Sequence, residues 1–181
     1  MAPYPKNIEV EVRSFITETE YTALLTKLKK ETEFLGEDTQ VTYYFDAPVD
    51  VRIQQNDTYA KIWLKKGKLH DDYREEIEIK FAREDFAQAE AMFLALGYSV
   101  SIKWYRTRNT FKKDDLSIML DHTKGYGHII ELEKMTTEED KGAASAHLKD
   151  ELVGLGITLT PKSVFDERFA DYKTNWKTLT A

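Results

Sequence analysis

The segment Ile8-Glu9-Val10-Glu11-Val12-Arg13 alternates apolar and charged residues without a break. Successive side chains of an extended chain point to opposite faces, so Ile8, Val10 and Val12 share one face and Glu9, Glu11 and Arg13 the other. Tyr73 to Phe81 repeats the pattern, with Arg74, Glu76, Glu78 and Lys80 opposite Ile77, Ile79 and Phe81. Residues 129–133 repeat it again, with Glu131 and Glu133 opposite Ile130 and Leu132. Further strands are predicted over 40–45, 51–54, 59–65, 100–111 and 116–121, which makes eight, and their hairpin-length spacing favours antiparallel pairing.

Four helices complete the pattern. Thr17 and Glu20 have the spacing of a capping box and open a helix to about Leu35, with Tyr21, Leu24, Leu25 and Leu28 on one face. A second runs from about Glu84 to Leu96, stopped by Gly97, and a third from about Thr137 to Leu155, ended by Gly156. The fourth starts with Pro161 as its first helical residue and reaches about Lys177. Its Phe165, Phe169, Tyr172 and Trp176 recur at helical spacing, which points to packing of the tail on the strands rather than to ligand binding.

Charge alternation on a single strand usually marks a face turned to water, so an open sheet is the plainer arrangement. Three features favour another. Glu-x-Glu occurs on one face of three strands, at Glu9/Glu11, Glu76/Glu78 and Glu131/Glu133, where like charges repel unless something cationic lies between them. Arg106 and Arg108 share a face, as do Lys61 and Lys65. The apolar faces also need covering, and four helices are available. The expected architecture is therefore an α+β fold: a closed eight-stranded antiparallel barrel with a charged interior and helices outside. Ile77 and Ile79 belong beneath those helices. Charges converging on one volume cannot stay unpaired. Carboxylates without histidine or cysteine partners favour Mg2+ or Mn2+, and the basic groups call for a polyanion, so a metal-bridged polyphosphate satisfies both sets.

Composition narrows the classes. The 181 residues are 41% hydrophobic and suit a single globular domain over 1–181. The lack of cysteine excludes disulfides, thiolate metal sites and cysteine nucleophiles, and fits a reducing cytoplasm. No apolar run has membrane-spanning length, and Met1 to Lys6 lacks the features of a signal peptide. The net charge of −6 argues against broad nucleic-acid binding. A monomer and a homodimer are equally compatible with the sequence.

The ordered motifs resemble a known family. Ile8 to Arg13 looks like the ExExK signature of the CYTH superfamily, the triphosphate tunnel metalloenzymes. Val51-Arg52-Ile53-Gln54 is similar to its LRxR strand, Trp63-Leu64-Lys65-Lys66-Gly67 to LTLKG, and Arg74-Glu75-Glu76-Ile77-Glu78 to RxExE. Arg106 to Phe111 resembles KxRxxY, and Leu120 to Gly127 followed by Ile130-Glu131-Leu132-Glu133 resembles LDxxxGLG…EIE. The matches run in order from residue 8 to about 134, leaving a helical segment of about 135–181 outside them. Arg13 and Arg106 stand where the family has lysines, and Gln54 replaces the second arginine of LRxR.

The resemblance implies a metal-dependent enzyme acting on a triphosphate. It implies Glu9, Glu11, Glu131 and Glu133 as metal ligands, with Asp121 either completing that shell or serving as a turn residue. It implies Arg13, Arg52, Lys65, Arg106 and Arg108 as the phosphate clamp, and Glu76, Glu78 and Lys65 as candidate catalytic groups. Three functions follow from such a site: hydrolysis of an inorganic, nucleoside or thiamine triphosphate; an adenylyl cyclase of the class IV type; and a non-catalytic polyphosphate or nucleotide sensor. Hydrolysis leads, because no base-recognition motif stands out. Trp63 and Trp104 are placed in packing roles rather than against a base.

Overall fold

The computed structural model describes residues 8–66 and 73–181, and their side chains except those of 73–75. The strands are β1 (Ile8–Ile16), β2 (Glu33–Phe45), β3 (Asp50–Gln55), β4 (Ala60–Lys66), β5 (Tyr73–Phe81), β6 (Val100–Lys113), β7 (Leu116–Thr123) and β8 (Gly127–Thr136). The helices are α1 (Glu18–Glu31), α2 (Phe86–Ala95), α3 (Lys141–Gly154) and α4 (Lys162–Leu179), with one 3-10 turn at Arg83–Asp85. The eight strands form one antiparallel sheet in the order β1-β5-β4-β3-β2-β6-β7-β8, and β8 pairs back onto β1. The β1–β8 seam has nine residue pairs, from Ile8↔Thr136 to Ile16↔His128. The β1–β5 seam is the shortest, with three pairs between Ile8–Val10 and Tyr73–Glu75.

α1 begins as its sequence requires. Thr17 Oγ1 accepts from the Glu20 N–H at 3.2 Å, and the Glu20 carboxylate accepts from the Thr17 N–H at 2.7 Å. It ends at Glu31, short of Leu35, because Glu33 onward is drawn into pairing with β6. That early part of β2 has no clean alternation. Its register shifts between Phe34 and Gly36, where Gly36 takes a φ of 136° that side-chain-bearing residues avoid. At the other end of the chain, Pro161 is the extended cap of α4 and the helix starts at Lys162.

The outward side chains pack in patches. α1 and α3 cover β1, β7 and β8 through Leu24, Leu28, Leu148 and Leu152 against Val10, Val12, Leu120, Ile130 and Leu132. α2 inserts Phe86 and Phe93 against Phe45 and Ile53. Two expectations about the exterior fail. Ile77 and Ile79 are 44% and 62% exposed, so the outer face of β5 lies between the helix-covered patches rather than under one. α4 does not lie on the outer face either. Its Tyr172 packs on Ile102 and Trp104, and Phe169 beside them; Ile102 and Trp104 share the parity of Arg106 and Arg108, so the helix lies on the charged face of the sheet. Ser14 holds the approach to α4: its hydroxyl donates to the Thr158 carbonyl at 2.6 Å and accepts from the Thr160 N–H at 2.9 Å.

Candidate functional site

A cavity of about 360 Å³ lies against the charged face of the eight-stranded sheet. Strand parity carries the charged side chains to it: Glu9, Glu11 and Arg13 from β1, Arg52 from β3, Lys61 and Lys65 from β4, Glu76 and Glu78 from β5. From the opposite wall come Arg106 and Arg108 of β6, Asp121 of β7, and Glu131 and Glu133 of β8. The lining thus holds seven carboxylates and six cationic side chains. With the charges so nearly balanced, a polyanion enters favourably only if positive charge enters with it.

The carboxylates divide into two groups. Glu9, Glu11 and Glu133 each offer an oxygen within 4.8 Å of the other two. Burial raises the Glu9 carboxyl to about 10; Lys65 opposes that rise and the charge of Glu133 adds to it. Burial likewise raises Glu133. Glu9 and Glu133 thus hold a proton more tightly than ordinary glutamates, and a divalent cation would replace it. Three oxygens with no nitrogen or sulfur donor among them fit a hard cation. Lys65 stands at the edge of this cluster, 3.4 Å from Glu9 and 3.8 Å from Glu11, and contacts Glu76. Burial alone would lower the Lys65 pKa, but Glu11, Glu9 and Glu76 hold it above the usual lysine value.

The second group faces arginines. Arg108 donates from Nε and Nη2 to the two oxygens of Asp121 at 2.8 and 2.7 Å, and from Nη2 to Glu131 at 2.9 Å. Arg106 donates from Nη1 to Asp121 at 3.1 Å. Glu131, expected as a metal ligand, and Asp121, expected either to complete that shell or to serve as a turn residue, are both turned to guanidinium groups. The cause is register: Arg108 lies directly across from Asp121 on the neighbouring strand. Burial would raise Glu131, but Arg108, then Arg13 and Arg106, hold it at about 2. Arg52 is bound by Asp50 at 2.7 and 2.6 Å and stacks 4.2 Å from the Tyr44 ring centroid. Arg13 meets Glu11 at 3.2 Å, and Glu78 is paired to Lys61 at 2.7 Å and Lys80 at 3.5 Å.

Several lining residues escaped the sequence reading. Gln40, Thr42 and Tyr44 of β2 alternate inward, but their neutral side chains give no charge signal. Phe165 and Phe169 of α4 reach the cavity beside Trp104 and Tyr126, and helical spacing alone could not show that. Trp63 and Trp104 also line it. Gly67 to Asp72, including His70, and the side chain of Arg74 fall outside the described residues. Among the described residues no helix is long and apolar enough to cross a membrane.

A model of the CYTH domain matches residues 7–158, beyond the last sequence motif and through α3. A candidate adenylate cyclase of Methanocaldococcus jannaschii is 28% identical over 149 residues, covering 74% of this chain and 82% of that protein. The fold is similar to that of the PH1012 protein from Pyrococcus horikoshii, with a TM-score of 0.74 at 20% identity over 85% of this chain and 95% of that one. A candidate adenylate cyclase from Vibrio parahaemolyticus gives a TM-score of 0.73 at 17% identity, covering 91% and 99% of the two chains. A Hippeastrum protein, described as a candidate adenylyl cyclase with a dominant triphosphatase activity, gives 0.62 at 18% identity over 87% and 93%.

Proposed function

This chain belongs to the CYTH domain family, and from that premise we propose that it is a divalent-metal-dependent phosphohydrolase that takes a triphosphate into the cavity. The observation that carries the reading is the division of one enclosed volume into a three-carboxylate cluster and an arginine-rich wall. We read the ring of strands as a closed tunnel, with the short β1–β5 seam completing it, and residues 1–181 as one functional unit, because Phe165 and Phe169 supply part of the wall.

In this reading Glu9, Glu11 and Glu133 hold Mg2+ or Mn2+, with Glu131 and Asp121 acting through the arginines they orient. The cation, when bound, supplies neutralising charge to the phosphoryl oxygens. Arg106 and Arg108 grip the phosphates, with Arg13, Arg52 and Lys65 along the remaining wall. Water attacks the terminal phosphorus, its oxygen forms the new P–O bond, and the bond from that phosphorus to the bridging oxygen breaks. The water proton passes to Glu76, which Lys65 holds in place, while Glu78 is engaged by Lys61. Orthophosphate and the shortened diphosphate leave.

A second reading, cyclisation of ATP to cyclic AMP and pyrophosphate, is supported by the aromatic wall of Trp104, Tyr126, Phe165 and Phe169, which offers a base a stacking surface, and by the cyclase description of several relatives. The purified protein with Mg2+ and tripolyphosphate, ATP or thiamine triphosphate, assayed for phosphate, pyrophosphate and cyclic AMP, separates the two. Phosphate release lost in chelator is the expected result. Cyclic AMP with pyrophosphate transfers the assignment to the cyclase, and tight binding without turnover transfers it to a sensor.

A further inference from the structure

One part of the cavity wall is built from neutral groups. Gln54 donates from Nε2 to Thr42 Oγ1 at 2.9 Å and to Gln40 Oε1 at 3.3 Å. Gln40 Oε1 also accepts from Arg106, at 2.9 Å from Nε and 2.6 Å from Nη2. The other end of the Gln40 amide, Nε2, donates to Asp38 at 2.8 Å. Both glutamines are buried. The partners determine which way the Gln40 amide faces. Turned over, its NH2 would oppose the guanidinium and the Gln54 donor, and its oxygen would oppose the Asp38 carboxylate.

The three described arginines on β3 and β6 differ in one respect. Arg108 and Arg52 each give Nε and Nη2 to a carboxylate. Arg106 gives the same two nitrogens to an amide oxygen and reaches Asp121 only through Nη1 at 3.1 Å. A carboxylate aims a guanidinium and also cancels much of its charge, whereas an amide oxygen aims it and leaves the charge in place. Burial and the neighbouring Arg108 act against the Arg106 cation and lower its pKa, a penalty that an arriving polyanion relieves.

We propose that Gln40 is a positioning residue for Arg106, oriented in turn by Gln54, and that this neutral pair leaves Arg106 more of its charge for phosphate than Arg108 or Arg52 keeps. The proposal rests on the triphosphate reading above. It also gives Gln54 a role of its own, where the family's strand pattern carries a second arginine.

Gln40→Glu, made together with Asp38→Asn, is the decisive variant, because the acceptor for Arg106 survives and the 2.8 Å contact between positions 38 and 40 keeps one donor and one acceptor, while negative charge is added to the group that meets Arg106. The expected result is a KM for tripolyphosphate raised roughly tenfold or more, with kcat within about threefold of wild type. The Kd for inert diimidotriphosphate in Mg2+, from titration calorimetry, should rise with KM. A role confined to holding the fold predicts wild-type KM and Kd in this variant, since the hydrogen bonds to Arg106 survive, and that outcome overturns the proposal. Gln54→Leu removes the donor that orients Gln40 without adding charge and should raise KM several-fold. Should the double variant fail to fold, an unchanged KM in Gln54→Leu overturns the proposal instead. A wild type that binds no triphosphate overturns the triphosphate reading and the proposal together, whereas wild-type binding with an indifferent double variant overturns the proposal alone.

Discussion

Asp121 makes the sharpest test of how the cavity balances its charges. The residue is 3% exposed, and its carboxylate accepts two bonds from Arg108 and one from Arg106. Asp121→Ala leaves Arg106 with Gln40 and Arg108 with Glu131 at 2.9 Å, and removes the charge they share. Breaking a buried ion pair by deleting one partner costs roughly 3–5 kcal/mol. The lower end applies here, because Arg108 keeps a carboxylate. In a domain of this size each kcal/mol moves Tm by about 2–4 °C, so the melt should fall by roughly 6–12 °C. The same change should be partly reversed by substrate. Removing one of the seven lining carboxylates makes the cavity more attractive to a polyanion. A ligand at 100 times its Kd stabilises by about 2.7 kcal/mol, and the variant should reach that saturation at lower tripolyphosphate than wild type. Scanning calorimetry on both proteins, with and without a tripolyphosphate series, reads both effects. A variant melting within about 1 °C of wild type would show that Asp121 carries little of the arginine wall, and an equal tripolyphosphate response would refute the charge argument.

Three further outcomes follow from other parts of the molecule. The Glu9 carboxyl is raised to about 10, chiefly by burial, so the metal-free folded state holds a proton that the unfolded chain gives up near its ordinary value; stability without metal should fall as pH rises from about 5 toward 10, and chemical denaturation across that range, repeated in Mg2+, should show the slope flattened by the cation. Gly125→Ala should destabilise by at least about 1–2 kcal/mol, since φ is 74° and the new Cβ would stand 2.6 Å from the Leu179 carbonyl oxygen; faster amide exchange over residues 172–179 would locate the damage at the end of α4. Ser14→Ala strips partners from the Thr158 carbonyl and the Thr160 N–H and should cost about 1–3 kcal/mol in a denaturant titration, an unchanged midpoint telling against the clamp on the approach to α4.

Much of the inward-facing set is written locally. A strand has period two, so Glu9, Glu11 and Arg13 had to share a face, as did Arg106 with Arg108 and Glu131 with Glu133, whatever the strands' neighbours. The capping box at Thr17 and Glu20 is equally local, and forms where its spacing predicts. These signals need only a few consecutive residues and the geometry of the backbone.

What a charged residue does inside the cavity depends on its partner, and partners come from distant strands. Parity brings Asp121 and Glu131 inward but does not say that the β6–β7 register sets Asp121 across from Arg108, where it meets a guanidinium instead of joining Glu9, Glu11 and Glu133. Gln40 carries no charge, so only its meeting with Arg106 reveals it, and the sequence marks Gln54 as a replaced arginine without showing that it bonds Gln40. The exposure of Ile79 and the entry of Phe165 and Phe169 into the wall depend on where α2, α3 and α4 come to rest. Sequence alone determined which face of each strand carries the charges, because that is a property of neighbouring dihedral angles. Tertiary structure decided which charges meet, because that requires the loops to close and the strands to choose their registers.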